Sequence, residues 1–565
     1  MSHLLAIAVG PVQEFIAAAR RTRDLWFGSY LLSEISRAVA KSVETDGGKL
    51  IFPASSDAEN VANVILAELP TGEPRDVAAK AKQAAQKRWL EFVGEAHREA
   101  SGVIRQDIWD DQVKDVIEFY AAWVPHTDPK QYPEDRKKLM RLLAGRKNCR
   151  DFLPAMGRAG VPKSSLDGQR ESVLKDPARE RWPERFRARL RIREGEQLDV
   201  VGLVKRVAEG NRPYPSVSRV AADPWVRGNK GTPAFADLKS ACEELPKLVL
   251  HRLDAEAFPQ FRDFPYEGTA IYVSRHHEWE EEIDEEDRLS ISDIQDALER
   301  LSQPNPYLAV LVADGDKMGA AISALNSPDA HREFSSALAG FANSARAIVN
   351  AHNGVLVYAG GDDVLAFLPV DKCLDCARKL HNDFGQRLAT YGNPTLSVGI
   401  AIGHFMENLE DLLDYGRAAE KAAKKPDRDG LAVHLHKRGG APVLVRSQWT
   451  DKPDERLTRY AELIRLEAIP GKLPYDLRKL ADVYEEWPQD TLVQALRADV
   501  LRVIRDKQPK AGRRYMQEIE ELVRSRLTDA ASLYRFSEEL LVARQIAVAM
   551  NQAIVRPARV QGAAR

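Results

Sequence analysis

The sequence places two adjacent carboxylates, Asp362 and Asp363, in a short polar segment between two apolar runs. Gly360 and Gly361 precede them, and glycine adopts positive φ without steric cost, so the segment predicts a tight β-hairpin. Aspartate is a poor strand residue, and adjacent acids repel one another, so a bound divalent cation would explain the pair. Mg²⁺ takes oxygen ligands, commonly one or two carboxylates together with substrate phosphates.

A second acidic turn lies upstream, after an apolar run of buried-strand type at residues 307–313. This turn contains Asp314 and Asp316. If the two strands are neighbours in a sheet, Asp314 lies beside Asp362 and Asp363 at one edge. The carboxylates would then form a two-metal site of the nucleotidyl-transfer kind, with the ions ~3.5–4 Å apart. A solvated β-turn is the alternative for the Asp-Asp pair, because aspartate is common at such tips.

The elements around these turns have a definite order. Hydrophobic periodicity predicts a helix after residue 329, the hairpin, a helix at 371–390, a strand at 395–403, a helix at 409–424 and a strand at 431–435. The order βαββαβ, plus one further αβ unit, is typical of the ferredoxin-like fold, which is also the palm of polymerases and nucleotide cyclases.

A fainter echo of this pattern begins the chain. A strand-like run at residues 3–9 is followed by Gly10-Pro11 and a helix, and this predicts a second palm in the same chain. Residues 48–53 and 268–273 are predicted as further strands of that first palm. Arg20, Arg21 and Arg23 crowd its first helix.

We therefore expect an α+β protein with two ferredoxin-like palm domains, a long helical insertion and a C-terminal helical bundle. The predicted domains are the N-terminal part of the first palm (1–56), the insertion (57–250), the completion of the first palm (251–300), the second palm (301–440) and the bundle (441–565). Within the insertion, residues 109–124 are predicted to be helical. The bundle is predicted to be helical from residue 445 onwards.

Composition excludes few functions. Of the 565 residues, 44% are hydrophobic and 29% are charged, as in an ordinary globular protein. The net charge is −2, so contacts with RNA must come from local patches. Two basic clusters stand out at residues 136–147 and 179–193, with a solvated helix face as the alternative for each. The longest apolar runs fall short of the ~18 residues of a membrane span, so we expect no membrane contact. Four cysteines in a chain of this length fit a reducing cytoplasm, so we expect a cytoplasmic protein.

The four cysteines predict neither a disulfide scaffold nor a zinc site. Cys373 and Cys376 have CxxC spacing, but they lie inside an amphipathic helix, which favours core packing. Cys149 and Cys242 are isolated in the sequence. Because structural zinc needs four ligands, we expect none here.

The motifs around the acidic turns resemble those of the large polymerase-like subunit of type III CRISPR effector complexes. The resemblance rests on the Ala-Asp-Gly-Asp-Lys-Met-Gly run at 313–319, the Gly-Gly-Asp-Asp run at 360–363 and the Leu-Ser-Val-Gly-Ile-Ala run at 396–401. The opening at 9–33, with the runs at 163–168 and 202–206, is similar to the type III-B, or Cmr-type, branch. That family often has a cysteine-rich zinc site in the insertion, and the run at 154–160, which stands where those cysteines are expected, lacks them.

The resemblance implies a nucleotidyltransferase that converts ATP into cyclic oligoadenylate second messengers when an RNA-guided complex binds foreign RNA. The cofactors would be two ions of Mg²⁺ or Mn²⁺. Asp314, Asp362 and Asp363 would hold them as the catalytic carboxylates, with Asp316 as a further candidate ligand.

Three features would bind the nucleotide. Gly360 and Gly361 would let the backbone approach it closely. Lys424 matches the lysine that reaches phosphates in the similar GGDEF-type cyclases, with Lys421 as the alternative. Ser397, on the strand beside the hairpin, would contact the donor nucleotide, or it is a plain strand residue.

The same resemblance implies other Cmr-type subunits as partners, both the small helical subunit and the RNA-binding backbone subunits, together with crRNA and target RNA. The sequence has no His-Asp dipeptide, so the single-stranded DNA nuclease of many relatives is not expected. Three alternatives remain: a palm that couples ATP to S-adenosylmethionine, a catalytically silent scaffold, and a free-standing GGDEF-type cyclase. The intact acidic motif argues against the scaffold, and the insertion, second palm and bundle argue against the free cyclase.

Overall fold

A computed structural model describes residues 2–58, 60–149, 157–176, 179–180, 182, 186–209, 213–246, 249–279, 287–485, 487 and 489–555. Two β-sheets organise these residues, and helices cover the faces of both. Parts of the 154–160 run and of the basic cluster at 179–193 lie outside the described residues.

The first sheet has the strand order β2-β3-β1-β4, with antiparallel neighbours throughout. Both faces of β1 are buried, because α2 and α3 cover one face and α5 covers the other. This explains why β1 is a continuous apolar run rather than an alternating one. In chain order the elements are β1 (His3–Gly10), α1 (Gln13–Ala17), α2 (Thr22–Thr45), β2 (Lys49–Phe52), β3 (Val64–Leu69), α3 (Pro74–Ala100), α4 (Gln106–Val113), β4 (Glu118–Pro125) and α5 (Tyr132–Asn148).

Two predictions for this sheet are wrong. Residues 268–273 do not form one of its strands, because they comprise the 3₁₀ helix Gly268–Ala270, a two-residue connection and the start of the 3₁₀ helix Val273–Trp279. The fourth strand is β4, inside the segment predicted as a helical insertion and within the part at 109–124 predicted as helical. Most side chains of β4 are only half-buried, which blurs the period of two. Residues 268–273 are apolar because they pack against the second sheet.

The chain between the sheets forms short helices. The helix α7 packs on α2 and α3, and α8 packs on one face of the second sheet. The bounds are α6 (Phe186–Leu190), α7 (Val200–Val207), α8 (Val217–Ala221), α9 (Asp223–Asn229), α10 (Pro233–Glu244) and α11 (Asp287–Glu299).

The second sheet has the order β10-β9-β8-β5-β7-β6. Four neighbouring strands of this sheet, β8-β5-β7-β6, repeat the order β4-β1-β3-β2 of the first sheet. This confirms two ferredoxin-like units. The strand β9 pairs in parallel with β8. The bounds are β5 (Tyr307–Gly315), α12 (Met318–Ser323), α13 (Pro328–Ala351), β6 (Val355–Gly360), β7 (Asp363–Leu368), α14 (Cys373–Leu388), β8 (Leu396–His404), α15 (Leu409–Ala423), β9 (Gly430–Leu435) and β10 (Val443–Gln448).

The C-terminal region is helical from residue 453. The prediction that helices begin at 445 is wrong, because β10 extends the second sheet first. The apolar stripes of α18 and α20 are buried in one core with α16 and α17. The bounds are α16 (Pro453–Arg465), α17 (Leu473–Tyr484), α18 (Gln489–Lys507), α19 (Met516–Arg526) and α20 (Ala530–Gln552).

Polar contacts join the two palms. The Tyr132 hydroxyl on α5 is hydrogen-bonded to His331 Nδ1 on α13 (2.6 Å). Arg136 donates to the Ile322 carbonyl oxygen (2.6 Å), so this member of the first basic cluster is buried and structural. The Ser335 hydroxyl donates to the Ile51 carbonyl oxygen (2.8 Å). The edge strand of the first sheet therefore rests on α13 of the second palm.

Two expectations concern the interior and the membrane. Cys373 and Cys376 are fully buried in the core around α14, as predicted. In the part of the chain that the structure describes, the helices lack the length and apolarity that a membrane crossing requires.

Candidate active site

The hairpin between β6 and β7 carries the first two aspartates. Gly360 pairs with Asp363, so Gly361 and Asp362 form a two-residue turn. Gly361 has φ of +69°, and a positive φ at the first central residue is the pattern of a type II′ turn, which glycine favours there. The tight hairpin predicted from the Gly-Gly pair is therefore confirmed, with Asp362 at its tip.

The turn after β5 meets this hairpin. The strand β5 lies between β7 and β8, with Asp314 opposite Ser397. A Cβ built on Gly315 would lie 2.7 Å from the Cβ of Asp362, so the hairpin tip packs directly on the Gly315 backbone. The two acidic turns thus meet at one sheet edge. No role for Gly315 was predicted from the sequence, although its position between two aspartates was a visible signal.

Burial and the proximity of the three carboxylates shift their pKa values. A hydrogen bond joins Asp314 and Asp363; burial, this bond and the neighbouring negative charges raise the pKa of Asp363 to about 9. Burial and the Asp314 charge raise the pKa of Asp362 to about 6. Burial opposes ionisation of Asp314, but the bond from Asp363 and the Lys424 ammonium outweigh it and lower its pKa. The site thus gathers more negative charge than its surroundings neutralise.

Lys424 is the cation of this site. Its ammonium contacts the Asp314 carboxylate and lies 2.6 Å from a carboxylate oxygen of Glu420. Both residues come from the C-terminal end of α15, which packs closely on β8. A Cβ built on Gly399 would lie 2.0 Å from the Glu420 backbone nitrogen, so only glycine permits this approach. Lys421 is exposed on the same helix, and the geometry favours Lys424 of the two predicted lysines. Glu420 and Gly399 were missed at the sequence level.

Asp316 and Ser397 are hydrogen-bonded to each other in the interior. Both are fully buried. The Asp316 carboxylate accepts hydrogen bonds from the hydroxyls of Thr395 (2.9 Å) and Ser397 (2.8 Å) and from the Asp429 backbone N–H (3.1 Å). These bonds tie the β5 turn to β8 and β9. Ser397 has no exposed surface and Asp316 stabilises the turn; their roles in nucleotide binding and metal binding stay predictions.

The residues fit divalent cations in kind. Within the described residues, no group of three or more His, Cys, Asp or Glu side chains has the arrangement of a metal site. Asp314, Asp362 and Asp363 nevertheless offer the oxygen donors that Mg²⁺ and Mn²⁺ prefer. Lys424 compensates part of their charge here, and a bound cation would compensate more of it. Their role as metal ligands stays a prediction.

Two family models match this chain. One, described as the Cas10/Cmr2 second palm domain, matches residues 307–432, which span β5 to β9. The other, described as the N-terminal part of CRISPR-associated protein Cmr2, matches residues 4–66. The chain is also 26% identical, over 629 aligned residues, to the CRISPR system Cmr subunit Cmr2 of Pyrococcus furiosus; the match covers 91% of this chain and 70% of that protein.

Two solved structures have a similar fold. The type III-B Cmr-beta complex in its apo state contains a chain with a TM-score of 0.63, 15% identity, and coverage of 90% of this chain and 77% of its own. The Cmr-beta complex bound to cognate target RNA gives a TM-score of 0.62, 15% identity, and coverage of 90% and 79%. At this identity the likeness concerns the fold alone. The expectation about the His-Asp nuclease stays a prediction.

Proposed function

Because this chain is a Cmr-type protein of the Cas10/Cmr2 kind, we propose that it is the palm-bearing subunit of a type III-B effector complex and joins ATP molecules by nucleotidyl transfer. The observation that carries the proposal is the meeting of two acidic turns. Asp362 packs on the Gly315 backbone, and Asp314 is hydrogen-bonded to Asp363. A scaffold gains nothing from three carboxylates that repel one another. A nucleotidyl-transfer site uses such a cluster to bind cations.

The chain's own residues would position the reactants. Asp314, Asp362 and Asp363 would hold two ions of Mg²⁺ or Mn²⁺. When bound, such ions lower the pKa of an attacking hydroxyl and stabilise a leaving pyrophosphate. Lys424 would orient the triphosphate and neutralise part of its charge, since phosphoryl-transfer sites act mainly by positioning and electrostatics.

The hairpin leaves room for the nucleotide. A Cβ built on Gly360 or Gly361 would meet no atom within 4 Å, so the backbone there is open to an approaching ligand. The attacking ribose hydroxyl of one ATP and the α-phosphate of another would meet at the carboxylates. The bond from hydroxyl oxygen to phosphorus forms as the bond to pyrophosphate breaks.

The biological setting follows from the comparisons. The similar chains belong to Cmr-beta complexes, one of them bound to target RNA, which supports other Cmr-type subunits, crRNA and target RNA as partners. The product we propose is cyclic oligoadenylate, made when target RNA binds. The alternative product is a conjugate of ATP and S-adenosylmethionine, because the residues of the site are compatible with either a second ATP or S-adenosylmethionine as the acceptor.

The test is a reconstituted complex given ATP, target RNA and Mg²⁺ or Mn²⁺, with products identified by mass spectrometry. The double variant Asp362→Ala, Asp363→Ala should make no product. Asp57→Ala, an exposed aspartate of the corresponding hairpin connection in the first palm, is the matched control and should retain activity. Absence of ATP turnover in the wild type would favour a scaffold, and GTP turnover without RNA would favour a free-standing cyclase. A product that contains S-adenosylmethionine would favour the coupling alternative.

A further inference from the structure

A second cleft lies at the other end of the second sheet from the aspartates. Its volume is about 630 Å³, and it opens between the start of α2 and the loop after β8 at residues 405–411. In the ladder of β5 and β8, Gly315 is opposite Leu396, whereas Tyr307 is opposite His404. The loop at 405–411 therefore follows the strand end remote from Gly315. The cleft is separate from the aspartate cluster.

Three distant segments bring arginines to this cleft. Its lining includes Arg20 and Arg21 from the start of α2, Arg191 and Arg193 from the second basic cluster, and Arg275. Six carboxylates also line it, those of Glu196, Glu267, Glu278, Glu407, Glu410 and Asp411. Glu278 is paired with Arg275 (2.8 Å) and with Arg193 (2.8 Å), and Glu196 is paired with Arg206. The arginines at the start of α2 and those of the second basic cluster stand far apart in the sequence and converge here.

Among the described residues around Arg206, the buried bases outnumber the buried carboxylates by one, with Arg23, Arg191, Lys205 and Arg206 against Asp24, Glu196 and Asp199. Arg206, fully buried, takes both Asp24 (2.7 Å) and Glu196 (3.0 Å) as partners. Lys205, also fully buried, donates to the main-chain carbonyl oxygens of Phe15 and Ala18. Burial lowers the pKa of Lys205 to about 8. Buried charges are stable only when they are paired, so this region favours an added anion.

Arg191 is the clearest sign of a missing partner. It is 8% exposed, and its Nε has no hydrogen-bond partner. Its φ of +54° is unusual for a residue with a side chain, and its carbonyl oxygen accepts a hydrogen bond from Arg206 (2.6 Å). The backbone is thus held while a buried guanidinium N–H at the cleft lacks an acceptor, which costs free energy unless a ligand supplies one.

The start of α2 adds to the same field. This helix has 24 residues and begins at Thr22, with Arg21 as its N-cap, and both residues line the cleft. The N-terminal end of a helix carries partial positive charge and free N–H groups, which favour anions. Tyr214, Trp279 and Phe405 also line the cleft, but each is at most 6% exposed and contacts another aromatic ring, so they form part of its wall.

We propose that this cleft binds the phosphate of a nucleotide, either free or at the 5′ end of an RNA strand, with Arg191 and Arg21 donating to the phosphate oxygens. A planar guanidinium suits phosphate because it donates two parallel hydrogen bonds. The volume falls in the range of about 300–1,000 Å³ of small-molecule sites. The site needs no divalent cation and does not depend on the aspartate cluster.

The test uses the full chain with Asp362→Ala and Asp363→Ala, in the presence of a chelator, so that the aspartate cluster does not contribute. Calorimetric titration with pyrophosphate, ATP, and a short oligoadenylate RNA with or without a 5′-phosphate should detect binding. Arg191→Met keeps the apolar stem and should weaken it at least tenfold, since charge-assisted hydrogen bonds are lost. Arg98→Met, exposed on α3, is the control and should bind as before.

The source of the phosphate follows from the probes. Tighter binding of ATP than of either RNA supports a free nucleotide, and tighter binding of the 5′-phosphorylated RNA supports an RNA end. Without ligand, Arg191→Met should melt no lower than the parent, because an unpaired buried donor is removed. Failure of all the probes to bind, or equal binding by Arg191→Met, would overturn the proposal, as would a lower melting temperature with unchanged binding. If Arg191→Met does not fold, Arg21→Met replaces it in the titrations.

Discussion

The two palms share a topology and differ in two turns. Both sheets have the same strand order, and each first strand is followed by a helix of 24 residues, α2 or α13. After β5 the chain reads Asp314-Gly315-Asp316, whereas after β1 it reads Gly10-Pro11-Val12. The second hairpin has a two-residue turn, whereas residues 53–63 connect β2 and β3. The fold supplies the sheet edge, and the residues of the turns supply the chemistry.

The same comparison holds for charge. The second palm gathers carboxylates that favour cations. The first palm gathers guanidinium groups at the start of α2, where Arg21 is the N-cap. The N-cap of the corresponding helix α13 is Ser327, whose side chain accepts a hydrogen bond from the Ala330 N–H (3.1 Å). The same topology thus presents carboxylates in one palm and guanidinium groups in the other. Substitutions at matched positions of the two palms therefore separate the effects of the topology from those of the individual residues.

The largest effect is expected at the paired carboxylates. Asp362→Ala with Asp363→Ala should lower ATP turnover by about 10³-fold or more, because ion-assisted charge stabilisation contributes several kcal/mol. Asp57→Ala in the first palm should leave turnover within about twofold of the wild type. Rates are measured on the assembled complex with target RNA. Comparable losses in both variants would contradict the difference between the palms.

The next largest effect is expected at Gly315. A Cβ there would press on Asp362 at 2.7 Å, so Gly315→Ala should displace the hairpin tip and reduce turnover by about 10²-fold, as misplacement by ~1 Å does. Gly10→Ala is the counterpart after β1, where the nearest atom would be the flexible Glu118 side chain at 3.2 Å. It should leave turnover nearly unchanged. Equal activity of Gly315→Ala and the wild type would show that Asp362 does not need this position.

The contact between the palms should make stability depend on pH. Burial and the Arg136 charge lower the pKa of His331 from 6.5 to about 4, so the unfolded chain binds this proton first. The contribution is complete above about pH 6.5 and is lost as the pH falls towards 4. It amounts to about 2 kcal/mol between pH 7 and pH 5.

His331→Gln should reduce this pH dependence. Chemical denaturation at pH 7 and at pH 5 measures the free energy of unfolding of both proteins. Buried His276 and His434 have pKa values lowered to about 4 as well, so they add to the slope in both proteins, and only the difference reports on His331. An identical slope in the variant would exclude His331 as a source of the pH dependence.

The smallest effect is expected at the hairpin turn. Gly361 has φ of +69°, and alanine there should cost about 1 kcal/mol of stability, because a side chain disfavours that conformation. Gly360→Ala, with negative φ and open space around it, is the neighbouring control and should cost less. Thermal denaturation of the full chain measures both, and a larger cost at Gly360 would contradict the turn geometry.

Some of the molecule was predictable because the signals are local. The hairpin at 360–363, the strand before Asp314 and the element order of the second palm follow from periodicity and from the conformational freedom of glycine. Neighbouring residues determine these features, so tertiary context did not override them. The buried stripes of the C-terminal helices were predictable for the same reason.

Other features were decided only by tertiary structure. Nothing local distinguishes β4 from the apolar run at 268–273; strand pairing made one an edge strand and packing made the other a buried 3₁₀ segment. The close approaches at Gly315 and Gly399 and the convergence of Arg21 with Arg191 join residues far apart in the chain. The sequence alone determined which side chains could bind charge, and long-range packing determined which of them meet, because periodicity reports a residue's own element and not its neighbours in space.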